Sequence, residues 1–468
     1  MPRSAHRRRP KPRCLASSLA QLAQLAPFAL LAPPRASAMD NGLARLPPMG
    51  WSSWNAFGGG NSMARMQGVA DALVATGLRD LGYSNVALDG GWFDFAGGGL
   101  NSSGFPIMPA DWDIKALAAS FHAQNLSLGM YVTGGFKSVF RNEAKWAAVV
   151  LGEWGADGLK VDHMCDVPEC IIPGQQPGHQ MAVPTQQAAI ERWAAAIAAV
   201  GRTNSTLFQN CGVGCMPSAG PLSDSPAPWG AWCPQTANMW RSSGDIAPIF
   251  GVILDVNLAS LAGRGSMSGP GAWAYPDSLE VGNARRGVGL TPSEARAHFS
   301  LWCVTSSPLI LGMDVRSISA DDLAVVSNRD AVAVSQAWAG FAGDMLNFSH
   351  FPPQNASVVN ITQLPQLSVW WKPLPNASAA AVLLNKSGPN STAASVGFAF
   401  AELQHNGTPA LASSADCRVR SVWDGGRVLG TFSGGFESPV NGSSVLFVII
   451  DGCAADNIAN LSVASRAG

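Results

Sequence analysis

The sequence predicts a (β/α)8 barrel followed by an antiparallel β-sandwich, and three observations carry that expectation. From Pro47 to about residue 335, short apolar strand-like runs alternate with amphipathic helical patterns, the signature of a parallel barrel. After about residue 340 the helical spacing stops, and strand-like runs separated by Pro, Gly and Asn take over. No G-x-G-x-x-G follows the first strand, which removes the commonest functional reading of the alternative, a doubly wound open sheet. A chain of 468 residues is also too long for one ordinary core.

Taken in order, the barrel strands are expected in "MGWSSW", "NVALDGGW", "LSLGMYV", "GLKVD", "TLFQN", "MWRSSGD", "GAWAYPD" and "PLILGMD". Met66, Val69, Leu73, Leu78 and Leu81 mark one helix between them, and Ile190, Trp193, Ile197 and Val200 another. "TPSEARAHFSLW" opens with Thr291, Pro292 and Glu294, a capping box with proline at the first helical position. In the second domain "LSVWWKPL", "AAAVLLN", "SVGFAFAEL", "CRVRSVW" and "SSVLFVIID" read as strands, with Asp424-Gly425-Gly426 as a tight turn. The expected division is a leader over 1–38, a barrel over 39–340 and a sandwich over 341–468.

The N-terminus is basic, then apolar and interrupted by Pro27, and "ASA" at 36–38 looks like a cleavage site. A removed signal peptide is the first reading, and an organelle transit peptide the second. Asn101, Asn125, Asn204, Asn347, Asn355, Asn360, Asn376, Asn385, Asn390, Asn406, Asn441 and Asn460 all begin N-x-[ST], as suits a secreted glycoprotein. The secretory route, ending outside the cell, in the cell wall or in a vacuole or lysosome, is therefore expected. Beyond Cys14 eight cysteines remain. Cys165, Cys170, Cys211, Cys215 and Cys233 read as loop staples, Cys303 as a buried thiol inside a helix, and zinc is not expected because no matching histidine set accompanies them. A net charge of −1 gives no reason to expect nucleic acid or an anionic membrane as partner. The 16 tryptophans against 3 tyrosines suit stacking on sugars or filling cores equally.

Five predicted strands end in aspartate: Asp89, Asp162, Asp245, Asp277 and Asp314. In a barrel those ends form the rim that carries active sites, although aspartate there also caps the following helix. Asp162 lies two residues beyond Lys160, on the same face of a strand. A neighbouring cation favours an anionic carboxylate, which suits a nucleophile. Asp245, four residues beyond Arg241 at a strand-to-helix turn, is expected to be buried enough to hold a proton. One carboxylate that attacks and one that protonates is the pairing glycoside hydrolysis needs.

"PPMGWSSWNAF", "ALDGGW", "GLKVD", "RSSGDI", "PDSLEVGN" and "HFSLWCVTSSPLILGMDVRSIS" stand in the order found in glycoside hydrolase family 27, the melibiase-type α-galactosidases, which the chain resembles over about residues 46–340. The resemblance implies a retaining exo-glycosidase for terminal α-galactosyl residues. It makes Asp162 the nucleophile and Asp245 the acid/base, with the two carboxyls about 5–5.5 Å apart. Lys160 would contact sugar hydroxyls, Arg241 and Cys211 would lie at the 2-position, Trp54 would stack on the ring and Asp89 would accept from the 4- and 6-hydroxyl side. Neither metal nor cofactor is called for. The partner is a carbohydrate, and a homodimer is left open.

The chain departs from the family in places. Gly90 replaces the second aspartate on strand 2, which helps read the axial 4-hydroxyl, and Asp94 lies nearby. "NCGVGC" lacks the acidic or aromatic residue that often follows the cysteine, "GAWAYPD" replaces W-N-D-P-D, and the inserts at 166–184 and 215–235 lengthen the rim loops. A local Cys165–Cys170 bridge is expected in place of the usual pairing. The alternatives are therefore an exo-glycosidase of α-N-acetylgalactosaminide or β-L-arabinopyranoside type, or a non-catalytic sugar-binding relative.

Overall fold

The computed structural model describes residues 41–92, 101, 102, 105, 107–134, 139–162, 183–212, 215, 232–285, 287–346 and 364–453. The expected leader, Asp94, the Cys165–Cys170 pair and most of the two inserts lie outside them.

Eight parallel strands follow one another in chain order around a curled sheet. They are β1 (Met49–Ser52), β2 (Asn85–Leu88), β3 (Ser127–Thr133), β4 (Gly158–Asp162), β5 (Leu207–Asn210), β6 (Met239–Arg241), β7 (Trp273–Tyr275) and β8 (Leu309–Leu311). β1 lies between β8 and β2, and a parallel bridge from Leu279, four residues past β7, to Leu311 of β8 brings the chain after β7 beside the other end of the sheet. The parallel strands thus run in barrel order, and the doubly wound alternative falls. Each predicted strand is present, shorter than its apolar run at most positions. β1 ends at Ser52 because the chain enters a helix at Ser53–Phe57. Gly50 is required where β1 meets β2: a Cβ there would stand 1.9 Å from the Asn85 carbonyl oxygen.

β4 shows how the sequence places its chemistry. Leu159 and Val161 are buried in the core outside the strand, so by the two-residue alternation Lys160 and Asp162 turn toward the barrel mouth. The register sets Tyr131 of β3 beside Lys160, and Thr133 beside Asp162. The helix expected over Met66–Leu81 is two pieces, Met63–Ala75 and Leu78–Leu81, because Gly77 adopts a left-handed φ of +75° between them. The capping box at Thr291 and Glu294 opens the helix Pro292–Val304 as expected, and Cys303 is a buried free thiol within it.

The C-terminal strands are β9 (Asp344–Met345), β10 (Leu367–Leu374), β11 (Ser378–Asn385), β12 (Ala394–Ala399), β13 (Asp416–Ser421), β14 (Val428–Ser433), β15 (Gly435–Val440) and β16 (Ser444–Asp451). Six of them form an antiparallel sheet in the order β9-β10-β11-β16-β13-β14, and β12 pairs with β15 in a second sheet. Every residue of β11 is buried, since the large sheet is covered on both faces. Trp370, Val382, Leu384 and Phe447 join the barrel core, while Trp371, Leu383 and Val448 join Phe398 and Phe436 between the two sheets. Lys372 reaches across to the barrel, where its Nζ donates to Ser306 Oγ at 2.7 Å and to the Val334 and Ala337 carbonyls at 2.9 and 2.8 Å. β14 and β15 escape the sequence reading because they mix apolar with polar residues, glycine and proline (VLGTFS and GFESPV) and hold no continuous apolar run. The sequon at Asn385 is not a surface site: Asn385 is fully buried and donates to the Val440 carbonyl.

Disulfides join Cys215 to Cys233 and Cys417 to Cys453. Cys211, expected among the loop staples, is a free buried thiol. Among the described residues no helix is long and apolar enough to cross a membrane, and no group of His, Cys, Asp or Glu could hold a metal ion.

Candidate active site

A cleft of about 540 Å³ opens at the C-terminal ends of the barrel strands, and Trp54, Asp89, Lys160, Asp162, Cys211, Arg241 and Asp245 all line it. Seven residues spread over almost 200 positions of sequence thus meet in one place.

Trp51 and Trp54 divide at the end of β1. Trp51 is fully buried and donates its indole N–H to the Met313 carbonyl at 2.7 Å, whereas Trp54, on the first helical turn, stays 46% exposed in the cleft. It leans over Gly90: a Cβ on Gly90 would stand 3.2 Å from Trp54 Cζ3. The place where the family's second aspartate would begin is therefore bounded by indole.

Asp89 is buried and committed to the protein. Its Oδ2 accepts from Lys160 Nζ at 2.7 Å, and its Oδ1 from the Gly90 N–H at 2.8 Å. The expectation that Lys160 pairs with Asp162 is corrected here. The ammonium bonds to the neighbouring strand, because Asp89 sits deeper in the mouth, while Asp162 receives the Tyr131 hydroxyl at 3.2 Å. Burial alone would lower the Lys160 pKa, but the Asp89 carboxylate, with Asp162 behind it, lifts it well above the ordinary lysine value. Lys160 is a fixed cation whose field still reaches Asp162. Burial first, then Asp162, holds the Tyr131 phenol well above its usual range, so it remains a donor.

Arg241 is the hub of the opposite wall. Its Nη2 lies 2.9 Å from Asp277 Oδ2, 3.1 Å from Asp245 Oδ1 and 3.1 Å from the Ser243 carbonyl. Its Nη1 lies 3.6 Å from Cys211 Sγ. Burial is the largest single influence and opposes its charge, yet Asp277 and Asp245 together with the other groups around it outweigh burial and raise its pKa. Burial, reinforced by Asp162, pushes the Cys211 thiol up to about 12, so Cys211 faces the cleft as a neutral thiol.

Asp245 differs from its expectation. Its side chain is 89% exposed, because it lies four residues past the end of β6 on the open rim. The turn beneath it is nonetheless pinned. Asn257 Nδ2 donates to the Gly244 and Pro276 carbonyls, both at 3.0 Å, and Asp277 Oδ2 accepts the Ile246 N–H at 3.0 Å.

Asp277 has a role that its position on the rim only hinted at. It holds both Arg241 and the Asp245 turn, from a left-handed backbone with φ of +91°, a conformation that surrounding structure must enforce. Tyr131, Tyr275, Asn55 and Glu280 also line the cleft, and the sequence alone does not mark them as site residues. No short motif marks them, because they come from the register of neighbouring strands and loops. Asp314, the fifth strand-end aspartate, is not in the cleft. It caps the short helix Val315–Ser317 and pairs with Arg316 at 2.6 Å, the bland outcome expected of such a residue.

Comparison with known proteins agrees with this architecture. Residues 222–337 match the family model described as alpha galactosidase A. The chain is 31% identical over 417 residues to alpha-galactosidase 3 of Arabidopsis thaliana, covering 86% of this chain and 81% of that one. It is 30% identical over 404 residues to an alpha-galactosidase of Oryza sativa subsp. japonica, covering 83% and 81%. In fold it is similar to the crystal structure of alpha-galactosidase I from Mortierella vinacea, with a TM-score of 0.69 at 23% identity over 89% of this chain and 99% of that one. A β-L-arabinopyranosidase from Geobacillus stearothermophilus shares the fold too, with a TM-score of 0.68 at 16% identity over 90% and 100%. Shared architecture and sustained identity across both domains lead to one conclusion: the chain belongs to the melibiase-type alpha-galactosidase family, glycoside hydrolase family 27.

Proposed function

We infer that this protein is a retaining exo-α-galactosidase in which Asp162 is the nucleophile and Asp245 the acid/base. The observation that carries the reading is that both carboxylates line one cleft with a buried cation on each side, Lys160 and Arg241. Asp162 attacks the anomeric carbon while Asp245 gives its proton to the departing oxygen. A glycosyl-enzyme forms, and Asp245 then takes a proton from the water that releases the sugar with its configuration retained. Tyr131 steadies the attacking oxygen, and Asp277 aims the turn that carries the acid. Since the protein leaves Asp245 open, the bound substrate supplies its cover. Lys160 and Arg241 present donors to ring hydroxyls, and Trp54 offers its face to the C–H side of the sugar.

The alternative sugars remain distinguishable by experiment. Gly90, with Trp54 above it, changes the wall that meets the 4- and 6-positions, and a site that loses a buried charged partner can shift preference by a large factor. Aryl α-galactoside, α-N-acetylgalactosaminide and β-L-arabinopyranoside are to be assayed side by side, with the anomer of the first product followed by NMR. Fastest cleavage of the galactoside with release of α-galactose supports the reading. Preference for either other sugar replaces its substrate, release of the β-anomer removes its mechanism, and binding without turnover on any of them selects the non-catalytic alternative.

A secretory location is proposed with this activity. Two disulfides suit an oxidising compartment, and the sequon residues Asn125, Asn204, Asn376, Asn390, Asn406 and Asn441 are at least partly open to solvent.

A further inference from the structure

The segment after the acid carries an unusual composition. Residues 245–252 read D-I-A-P-I-F-G-V, with no polar side chain beyond Asp245 itself. Ile246 and Pro248 line the cleft, and Ile249, the next residue in the chain and outside that lining, is 49% exposed. The next polar side chain, Asp255, is engaged elsewhere, accepting from Lys386 Nζ at 2.6 Å and from the Leu364 N–H at 2.9 Å. Hydrogen bonds from Ile246 N to Asp277 and from Asn257 to Gly244 fix the turn without a ligand. Two apolar cleft-lining residues, followed directly in the chain by an open isoleucine on a pinned turn, give this side of the cleft mouth an apolar character that suits ligand contact.

The reaction fixes what reaches this surface. A general acid must lie within hydrogen-bond distance of the oxygen it protonates, so the group leaving on that oxygen passes over the residues adjoining Asp245. We propose that Ile246, Pro248 and Ile249 form the leaving-group site and select galactosides of apolar alcohols over galactosyl-sugars; this rests on the assignment of Asp245 as acid. A second sugar would need partners for its hydroxyls, and this segment has no side-chain donor or acceptor to give. Pro248 also lacks a backbone N–H.

Methyl α-galactoside, octyl α-galactoside and melibiose separate the possibilities, because the two alkyl glycosides share leaving-group chemistry and differ only in apolar length. With the full-length protein, kcat/KM for the octyl glycoside should exceed that for the methyl by roughly tenfold, and should exceed that for melibiose. Ile249→Ser should reduce the octyl-to-methyl ratio to about threefold or less, and Pro248→Ser should reduce it as well. A ratio reports the site even where a variant is partly misfolded, since misfolding lowers both rates together. Equal rates on the two alkyl glycosides, a preference for melibiose, or a ratio unmoved in both variants overturns the proposal and leaves the galactosidase reading standing. Cleavage of none of the three removes that reading, and the proposal with it.

Discussion

Lys160 Nζ lies 2.7 Å from Asp89 Oδ2, so the cation beside the candidate nucleophile is anchored to the adjacent strand. The pair spans β4 and the end of β2 and is almost wholly out of water. Taking the charge from Asp89 leaves a buried ammonium without its counter-ion. Asp89→Asn is expected to lower stability by about 2 kcal/mol, less than full truncation because asparagine keeps an acceptor. Denaturant unfolding measures this, and kcat/KM should fall alongside it.

Tyr131 donates to Asp162 at 3.2 Å, and the phenol stays protonated through the alkaline range because its pKa is raised. Tyr131→Phe removes one hydrogen bond to a charged group, worth about 1.5–3 kcal/mol. Steady-state kinetics should show kcat down by roughly 10- to 100-fold with KM within about twofold, since the bond acts on the attacking oxygen. A rise in KM alone would assign the hydroxyl to sugar binding.

Gly90 and Trp54 are coupled by space. A Cβ at residue 90 meets Trp54 Cζ3 at 3.2 Å, tighter than ordinary contact, so the indole must give way. Gly90→Ala should reduce kcat/KM several-fold and shift tryptophan fluorescence on sugar binding. Once Trp54→Ala has removed the indole, adding Gly90→Ala should change kcat/KM no further. Additive effects in that double-mutant cycle would separate the two residues.

Much of this was legible in the sequence because the barrel's chemistry sits at strand ends. "GLKVD" states its own geometry: two apolar residues turned out, a lysine and an aspartate turned in. The capping box at Thr291 and the eight strand positions were equally direct. What sequence could not carry was pairing across strands. The choice of Asp89 over Asp162 by Lys160, and the hydroxyl that Tyr131 brings, follow from register between β2, β3 and β4. Asp245 misled for a related reason. Its neighbours Arg241 and Gly244 are local, whereas its exposure depends on where the whole rim lies. Asp277 read as a helix cap, and its task as clamp for Arg241 appears only when β6 and β7 are side by side.

His298 makes an acid-side prediction. It is fully buried, its Nε2 accepts the Glu280 N–H at 3.0 Å, and burial lowers its pKa to about 3. The folded value lies below the unfolded one of about 6.5, so between them the unfolded chain binds more protons. Stability from this group is full above about pH 6.5 and is lost progressively as pH falls toward 3. His298→Gln keeps an acceptor and removes the titration. Thermal melts from pH 7 to 4 should show a shallower fall in Tm for the variant, and parallel curves would exclude His298 as a source.

Azide rescue measures the division of labour between Asp162 and Asp245 most directly. Asp162→Ala and Asp245→Ala are each to be given an activated aryl α-galactoside with azide, and the galactosyl azide formed is read by NMR. With Asp162 as nucleophile, azide fills the vacated space and displaces the aglycone once, giving the β-azide. With Asp245 as acid/base, the glycosyl-enzyme still forms, and azide replaces water in the second step, giving the α-azide. The prediction is β from Asp162→Ala and α from Asp245→Ala. The same anomer from both variants, or undiminished hydrolysis by Asp162→Ala, would contradict it.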